Sequence, residues 1–277
     1  MPNIDQQSDA LKSSIIDYWD RQPCNINHSS AVKGTSQYYD EVEARKYFVE
    51  PHIPKFANFE KWRGKRVLEI GCGIGTDAIN FARNGAIYTG IELSGSSLEI
   101  SKNRFEVFAL EGRLLLGDAE NLSKYLNSEE KFDLIYSFGV LHHTPDIELA
   151  FREIYKFCHD STQFRFMVYA ENSYKAALIR QGLEQPEAQY GCPIANTYTK
   201  QDLNSMLLRN GFQSNEMIQD HIFPYSIPEY KKYNYVKLPH FQNMPVELFR
   251  GLELELGWHL MVTAKKDEAF INKSNES

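Results

Sequence analysis

The residues best suited to chemistry in this chain lie in and after VLEIGCGIGTD, residues 67–77. There Gly71, Gly73 and Gly75 alternate behind an apolar run, and Glu69 stands just ahead of them. Glycines let the backbone turn tightly and let a ligand lie against bare main chain. Two further acids fall at comparable places: Glu92 closes GIEL, 21 residues past Gly71, and Asp118 follows RLLLG. A dinucleotide site would call for G-x-G-x-x-G with the pyrophosphate at a helix N-terminus. Here the third glycine comes one position early, and Thr76 stands in its place. A phosphate loop would call for G-K-[ST], which is absent. Three carboxylates on one edge also repel a pyrophosphate. They suit a ligand with a positive head, a ribose and an adenine amine, and Glu92 has the spacing of an acid that holds a ribose hydroxyl pair.

Positioning these residues requires strands that end on a common edge. RVLEI, AIYTGIEL, RLLLGDA, FDLIYSFGV and FRFMVYA read as strands. TDAINFARNG, SSLEISKNRFEVFA, AENLSKYLN and ELAFREIYKFC read as the helices between them. That alternation predicts an α/β fold, a doubly wound, mostly parallel, seven-stranded sheet with helices on both faces. Right-handed crossovers then bring the loops after each strand to one ligand-binding edge. Ahead of the sheet, residues 1–10 are polar and expected to fray. Leu11, Ile15, Tyr18 and Trp19 form a helical stripe over Ala10–Asp20. A second helix is expected in SQYYDEVEARKYFVE, with Ser36 as N-cap and Pro51 and Pro54 beyond its end. After Tyr169 comes an excursion with a helix inside it, then a helix in QDLNSMLLRNGF, a strand in EMIQDHIF and a last strand in GWHLMVTAKK. Residues 221–249, dense in Tyr, Phe, Pro and His, are expected to pack over the sheet edge.

VLEIGCGIG, GIELS, GDAENL and FDLIYSFGVLHHTPD together resemble the successive motifs of class I S-adenosylmethionine-dependent methyltransferases. The resemblance spans about residues 60–170, and more loosely the last strand. It implies a Rossmann-like fold with S-adenosyl-L-methionine as cofactor. The turn from Gly71 through Cys72 and Gly73 to Gly75 would pack against the methionine and ribose portion, with Glu69 near the ammonium group. Glu92, with Leu93 beside it, would take the ribose hydroxyls. Asp118 would accept the adenine amine while Ala119 offers its backbone N–H. Ser137 and Phe138 would border the methionine part. Cys72 has no basic partner in sequence and is expected to be an unreactive thiol.

Methyl transfer from a sulfonium is an in-line displacement, so the protein mainly aligns nucleophile, methyl carbon and sulfur and excludes water. A base matters only where the nucleophile must lose a proton. His142 and His143, in GVLHHTPD after the fourth strand, are the catalytic candidates, with His143 expected to face the substrate and His142 to pack in the loop. Two structural histidines are the bland alternative. From the second helix, Tyr39 is expected to contact the cofactor carboxylate, whereas Tyr38 and Tyr47 read as core and Arg45 as a solvated charge. Tyr169, Asn172, Glu187, Gln189, His221, Tyr225, Tyr230, Tyr235 and His259 are expected over the pocket mouth, where aromatic faces attract a cation. The same stretch would also serve as a homodimer surface.

Composition bounds the remainder. The 277 residues carry a net charge of −7, which disfavours a dedicated nucleic-acid binder. Cys24, Cys72, Cys158 and Cys192 are scattered without a C-x-x-C pair, so no zinc pattern or other metal site is expected. No apolar run approaches the roughly 18 residues of a membrane span, and MPNIDQQSDALKSS lacks a secretory order. A cytoplasmic enzyme acting on a small-molecule acceptor is expected. Its organisation would be a helical cap at 1–60, a cofactor-binding core at 61–170, the remaining sheet with substrate-shaping insertions at 171–266, and a disordered tail at 267–277. A nicotinamide-dependent oxidoreductase and a non-catalytic cofactor-binding scaffold are the alternatives.

Overall fold

In the computed structural model, which describes residues 4–183 and 191–267, two helices precede the sheet: α1 (Ile4–Arg21) and α2 (Ser36–Val49). A short α3 (His52–Ala57) then leads to β1 (Arg66–Ile70), the glycine turn and α4 (Thr76–Arg83). Next come β2 (Ile87–Glu92), α5 (Gly95–Val107), β3 (Arg113–Leu116), β4 (Phe132–Phe138), α6 (Ile147–Lys156) and β5 (Cys158–Ala170). The last part holds α7 (Tyr174–Arg180), a two-residue β6 (Thr197–Tyr198), α8 (Lys200–Arg209) and β7 (Phe212–Asp220). Three helices, α9 (Ile227–Tyr230), α10 (Pro239–Gln242) and α11 (Val246–Leu256), precede β8 (His259–Lys266).

The strands run in the order β3-β2-β1-β4-β5-β8-β7, with β6 paired to β5. The pairs from β3 to β5 are parallel, while β8 is antiparallel to both β5 and β7. The expected sheet is therefore present, with the two-residue β6 as an eighth strand. Side chains alternate across it. Leu68, Ile135, Phe164 and Phe166 pack with Phe151, Leu203 and Leu207 on one face. Val67, Leu134 and Tyr136 pack with Ile79, Phe81 and Phe105 on the other. Each such fully buried side chain contributes roughly 1.5–3 kcal/mol of apolar burial. Strand order reverses at β1, between β2 and β4, and the crevice beyond the strand ends there is where an open α/β sheet takes its ligand.

Several local expectations are corrected. α1 begins at Ile4, not at Ala10; the polar residues before the apolar stripe are helix-compatible types and extend it. Thr35, not Ser36, caps α2, accepting from the Tyr38 N–H. β5 begins at Cys158 rather than Phe164, across an irregular register with β4. AENLSKYLN forms a 3-10 turn over Ala119–Lys124, broken at Asn121, rather than an α-helix. Glu187, Gln189 and all of the expected tail except Asp267 lie outside the described residues. Among the described residues, no helix is long and apolar enough to cross a membrane.

Candidate active site

The chain leaves β1 through a turn in which Gly71, Gly73 and Gly75 all take positive φ. Two of them show different reasons for glycine. A Cβ on Gly71 would stand 2.3 Å from the Val140 side chain, so this position serves close packing against the loop after β4. Gly73 lines a cavity, and a Cβ there would meet no protein atom within 4 Å. The backbone is bare at Gly73 on the side where a ligand fits.

That cavity, of about 190 Å³, opens at the C-terminal ends of β1, β2 and β4. Its wall includes Glu69, Gly71, Cys72, Gly73, Glu92, Leu93, Asp118, Ala119, Phe138 and His143. These ten expected site residues are brought together; four others are not on the wall. Gly75 is the N-cap of α4, where a Cβ would meet Ser101 Oγ at 2.6 Å. Ser137 is buried and donates to the Ile70 carbonyl at 3.0 Å. Tyr39 is buried between α2 and α5, its hydroxyl donating to Asn103 Oδ1 at 2.7 Å. His142 is fully buried, its ring tilted 36° against Tyr169 with centroids 3.6 Å apart.

The acids are held in distinct states. Glu92 accepts the Gly73 N–H at 2.7 Å on one oxygen and the Ser94 N–H at 2.9 Å on the other, which ties β2 to the glycine turn. Burial raises its pKa, against the lowering pull of these backbone donors. Glu69 accepts the Tyr88 hydroxyl at 2.6 Å. Burial, and then the charge of Asp77, push it up to about 8, so it holds its proton at neutral pH. Asp77 is paired with Lys46 of α2 at 2.7 Å and receives the Tyr47 and Tyr136 hydroxyls. Asp118 caps the turn after β3 by accepting the Glu120 N–H. Its other oxygen pairs with Lys12 of α1 at 2.7 Å.

Lys12, Ile15 and Trp19, spaced to share one face of α1, close the cavity from above. Asp20 fixes that helix to the start of α5, accepting from Ser94 Oγ and the Ser96 N–H. The buried Arg104 locks α2 to the core through Thr76 Oγ1, the Tyr39 carbonyl and Glu43. Sequence reasoning missed Lys12, Lys46 and Asp77; the 12–15–19 spacing is a signal for Lys12, and Lys46 and Asp77 have none, since their contact crosses 31 positions.

His143 Nδ1 donates to the Ile194 carbonyl, which fixes the tautomer and leaves the Nε2 lone pair buried and without a protein partner. Burial brings its pKa down to about 4, so it is a neutral imidazole. Trp19 and Tyr169 both meet its ring edge-on. Cys72 is buried on the wall, and burial pushes its thiol well up, in keeping with an unreactive group. Tyr169 and His259 line the cavity as expected, whereas Tyr225, Tyr230 and Tyr235 do not. Those tyrosines belong to a cluster around Arg45, whose guanidinium lies 4.0 Å from the Tyr230 ring centroid. Arg45 is thus a buried clamp rather than a solvated charge. Asn172 is exposed, and its carbonyl accepts from Gln219.

A protein family described as a methyltransferase domain matches residues 42–216, well over half of the chain. The chain belongs to that family, a class I S-adenosylmethionine-dependent methyltransferase as its motifs imply. The family match gives no support to the oxidoreductase alternative. Among curated proteins, it is similar to the ubiquinone biosynthesis O-methyltransferase of Coxiella burnetii (strain Dugway 5J108-111), 37% identical over 84 residues, 30% of this chain and 35% of that protein. It is also similar to methyltransferase GfsG of Streptomyces halstedii, 34% identical over 94 residues, 33% of each chain. It thus spans about a third of the length of these relatives. Among solved structures, magnesium protoporphyrin IX methyltransferase from Synechocystis PCC 6803, with bound SAM, shares the fold. There the TM-score is 0.57 at 14% identity, covering 93% of this chain and 97% of that one.

Proposed function

We propose that this cavity binds S-adenosylmethionine and that the chain methylates a hydroxyl group of a small, partly apolar acceptor. The observation that carries the reading is the joint placement of Gly73, Glu92, Asp118 and Glu69 on one cavity wall. Each has a match on the cofactor. Glu92 has oxygen lone pairs beyond those used by Gly73 and Ser94 for the ribose hydroxyls. Asp118 takes the adenine amine. Glu69 ionises when the cofactor ammonium arrives, because an opposite charge favours the carboxylate. The sulfonium supplies an electrophilic methyl group when bound.

The acceptor belongs beyond Phe138, among Met167, Tyr169 and His143, where the wall is apolar and aromatic. An oxygen acceptor is favoured by the likeness to the Coxiella burnetii O-methyltransferase, and by the unpartnered Nε2 of His143. His143 Nε2 would accept the proton that the acceptor hydroxyl gives up on methylation. Trp19 and α1 exclude water above it. The reading extends to a small-molecule partner in the cytoplasm, with neither nucleic acid nor membrane.

Incubation with methyl-labelled cofactor and a panel of phenols, enols, amines and thiols tests this. Label is expected in hydroxylated acceptors, and His143→Gln is expected to lower kcat by roughly 10-fold or more, the lowered basicity placing it under the usual range for a base, with S-adenosylhomocysteine affinity little changed. Label only in amines or thiols, or an unaltered kcat in the variant, would overturn the oxygen-acceptor reading.

A further inference from the structure

Behind Phe138, four elements deliver an unusual concentration of imidazole. His221 follows β7 directly, and His259 begins β8, its backbone paired with Asp220 of β7. His52 comes from the first turn of α3 and Glu50 from the end of α2. All three histidines are buried. Their rings form a compact group, with centroids of His221 and His259 4.6 Å apart and of His52 and His259 5.0 Å apart. One candidate ligand atom each from Glu50, His221 and His259 lies within 4.8 Å of the others. Glu50 and His259 line the cavity.

We propose that Glu50, His221 and His259 form a site for a divalent first-row transition-metal ion of the zinc or iron(II) class, with an open coordination position facing the cavity. Two imidazoles and one carboxylate are the donor set such ions prefer, and three protein ligands leave room for a further one. Ligand atoms about 2.1 Å from one ion stand roughly 3.4 Å apart in a tetrahedron, so closure asks about an ångström of side-chain movement.

Two independent features support the site. The first is tautomeric. His259 Nδ1 and His52 Nε2 are 2.8 Å apart, and His259 Nε2 faces Glu50 Oε1 at 3.6 Å. If Nδ1 donates to His52, the His259 Nε2 lone pair is bared toward Glu50. This is the outer-partner arrangement that orients metal-bound histidines, and it makes His52 a positioning residue. The second is conformational. His221 has φ +76, a left-handed backbone that a bulky residue adopts at a cost of about 1 kcal/mol or more. Non-glycine residues held in that region cluster at active sites and ligand clamps. No sequence spacing announces the site, because its residues lie in three separate parts of the chain.

The test uses chelator-stripped full-length protein and metal alone, so its outcome is separate from that of the methyl-transfer reading. Zinc titration by calorimetry is expected to show one site per chain, and cobalt(II) is expected to give visible d–d bands at the same stoichiometry. Magnesium, which demands oxygen ligands, should not compete. His221→Asn and His259→Gln should each weaken zinc binding at least ~10-fold, while His221→Asn melts no lower than the parent because its backbone strain is relieved. No stoichiometric zinc or cobalt binding, competition by magnesium, or parent-like affinity in both variants would overturn the proposal. Anomalous scattering at the zinc edge from parent crystals needs no variant. A peak among Glu50, His221 and His259 upholds the site, and a peak elsewhere or none refutes it.

Discussion

Glu69→Gln removes an ionisable group from the cavity wall while keeping its shape and an acceptor for the Tyr88 hydroxyl. In the parent, the carboxyl holds its proton up to about pH 8, against 4.5 for the ordinary group. The folded protein therefore binds more protons than the unfolded chain across that interval. Stability is complete below the lower value and declines as pH rises toward the upper one. At about 1.4 kcal/mol per pKa unit, the decline between pH 5 and pH 8 comes to roughly 3 kcal/mol. For a domain of this size that is about 6 °C in Tm, at ~2 °C per kcal/mol. Thermal melts of both proteins from pH 5 to pH 8 measure it. The two curves should converge at pH 5, with the variant melting higher by that amount at pH 8. Calorimetry with S-adenosylhomocysteine at pH 6.5, in buffers of different ionisation enthalpy, gives a second readout. The parent should release about one proton on binding and the variant about none. Parallel melting curves, or binding without proton release in the parent, would refute the reasoning.

The turn glycines should separate by role. Gly71→Ala drives a Cβ into Val140 at 2.3 Å and should cost several kcal/mol of stability, on the order of 3. Gly73→Ala should cost only about 1 kcal/mol in stability yet weaken S-adenosylhomocysteine binding at least ~10-fold, as paired melts and titrations would show. The buried neutral histidines predict an acid limb. His28 and His143 are lowered to about 3 and 4 by burial, so their stabilising contribution is complete above pH 6.5 and lost as pH falls toward those values. Each accounts for about 2 kcal/mol by pH 5, and His28→Gln should flatten that part of the melting profile.

The binding edge was legible in the sequence because its signals are local. A strand, a glycine turn and an acid at each following strand end are set by the chain within a few residues of one another. Gly73, Glu92 and Asp118 could be placed from that alone. What lay hidden depends on distant segments meeting. Lys12 pairs with Asp118 across 106 positions, and nothing near either residue announces it. Tyr39 lies on the right helix but on the face that docks against α5, a choice made by packing with Phe108 and Asn103. The tyrosines of the late insertion suggested a pocket wall, yet they enclose Arg45, because a buried guanidinium needs flanking aromatic faces and backbone acceptors. His142 and His143 part at the short turn over Leu141–His143, which sends the first ring into the core and the second to the cavity wall, a placement that adjacent positions in sequence do not announce.

A crystal structure of the full chain with S-adenosylhomocysteine tests the central claim most directly. Both ribose hydroxyls are expected on the Glu92 carboxylate, the adenine amine at Asp118, the ammonium beside Glu69, and the nucleoside lying flat against Gly73. A nucleoside bound elsewhere, or a cavity that stays empty at saturating ligand, would contradict it.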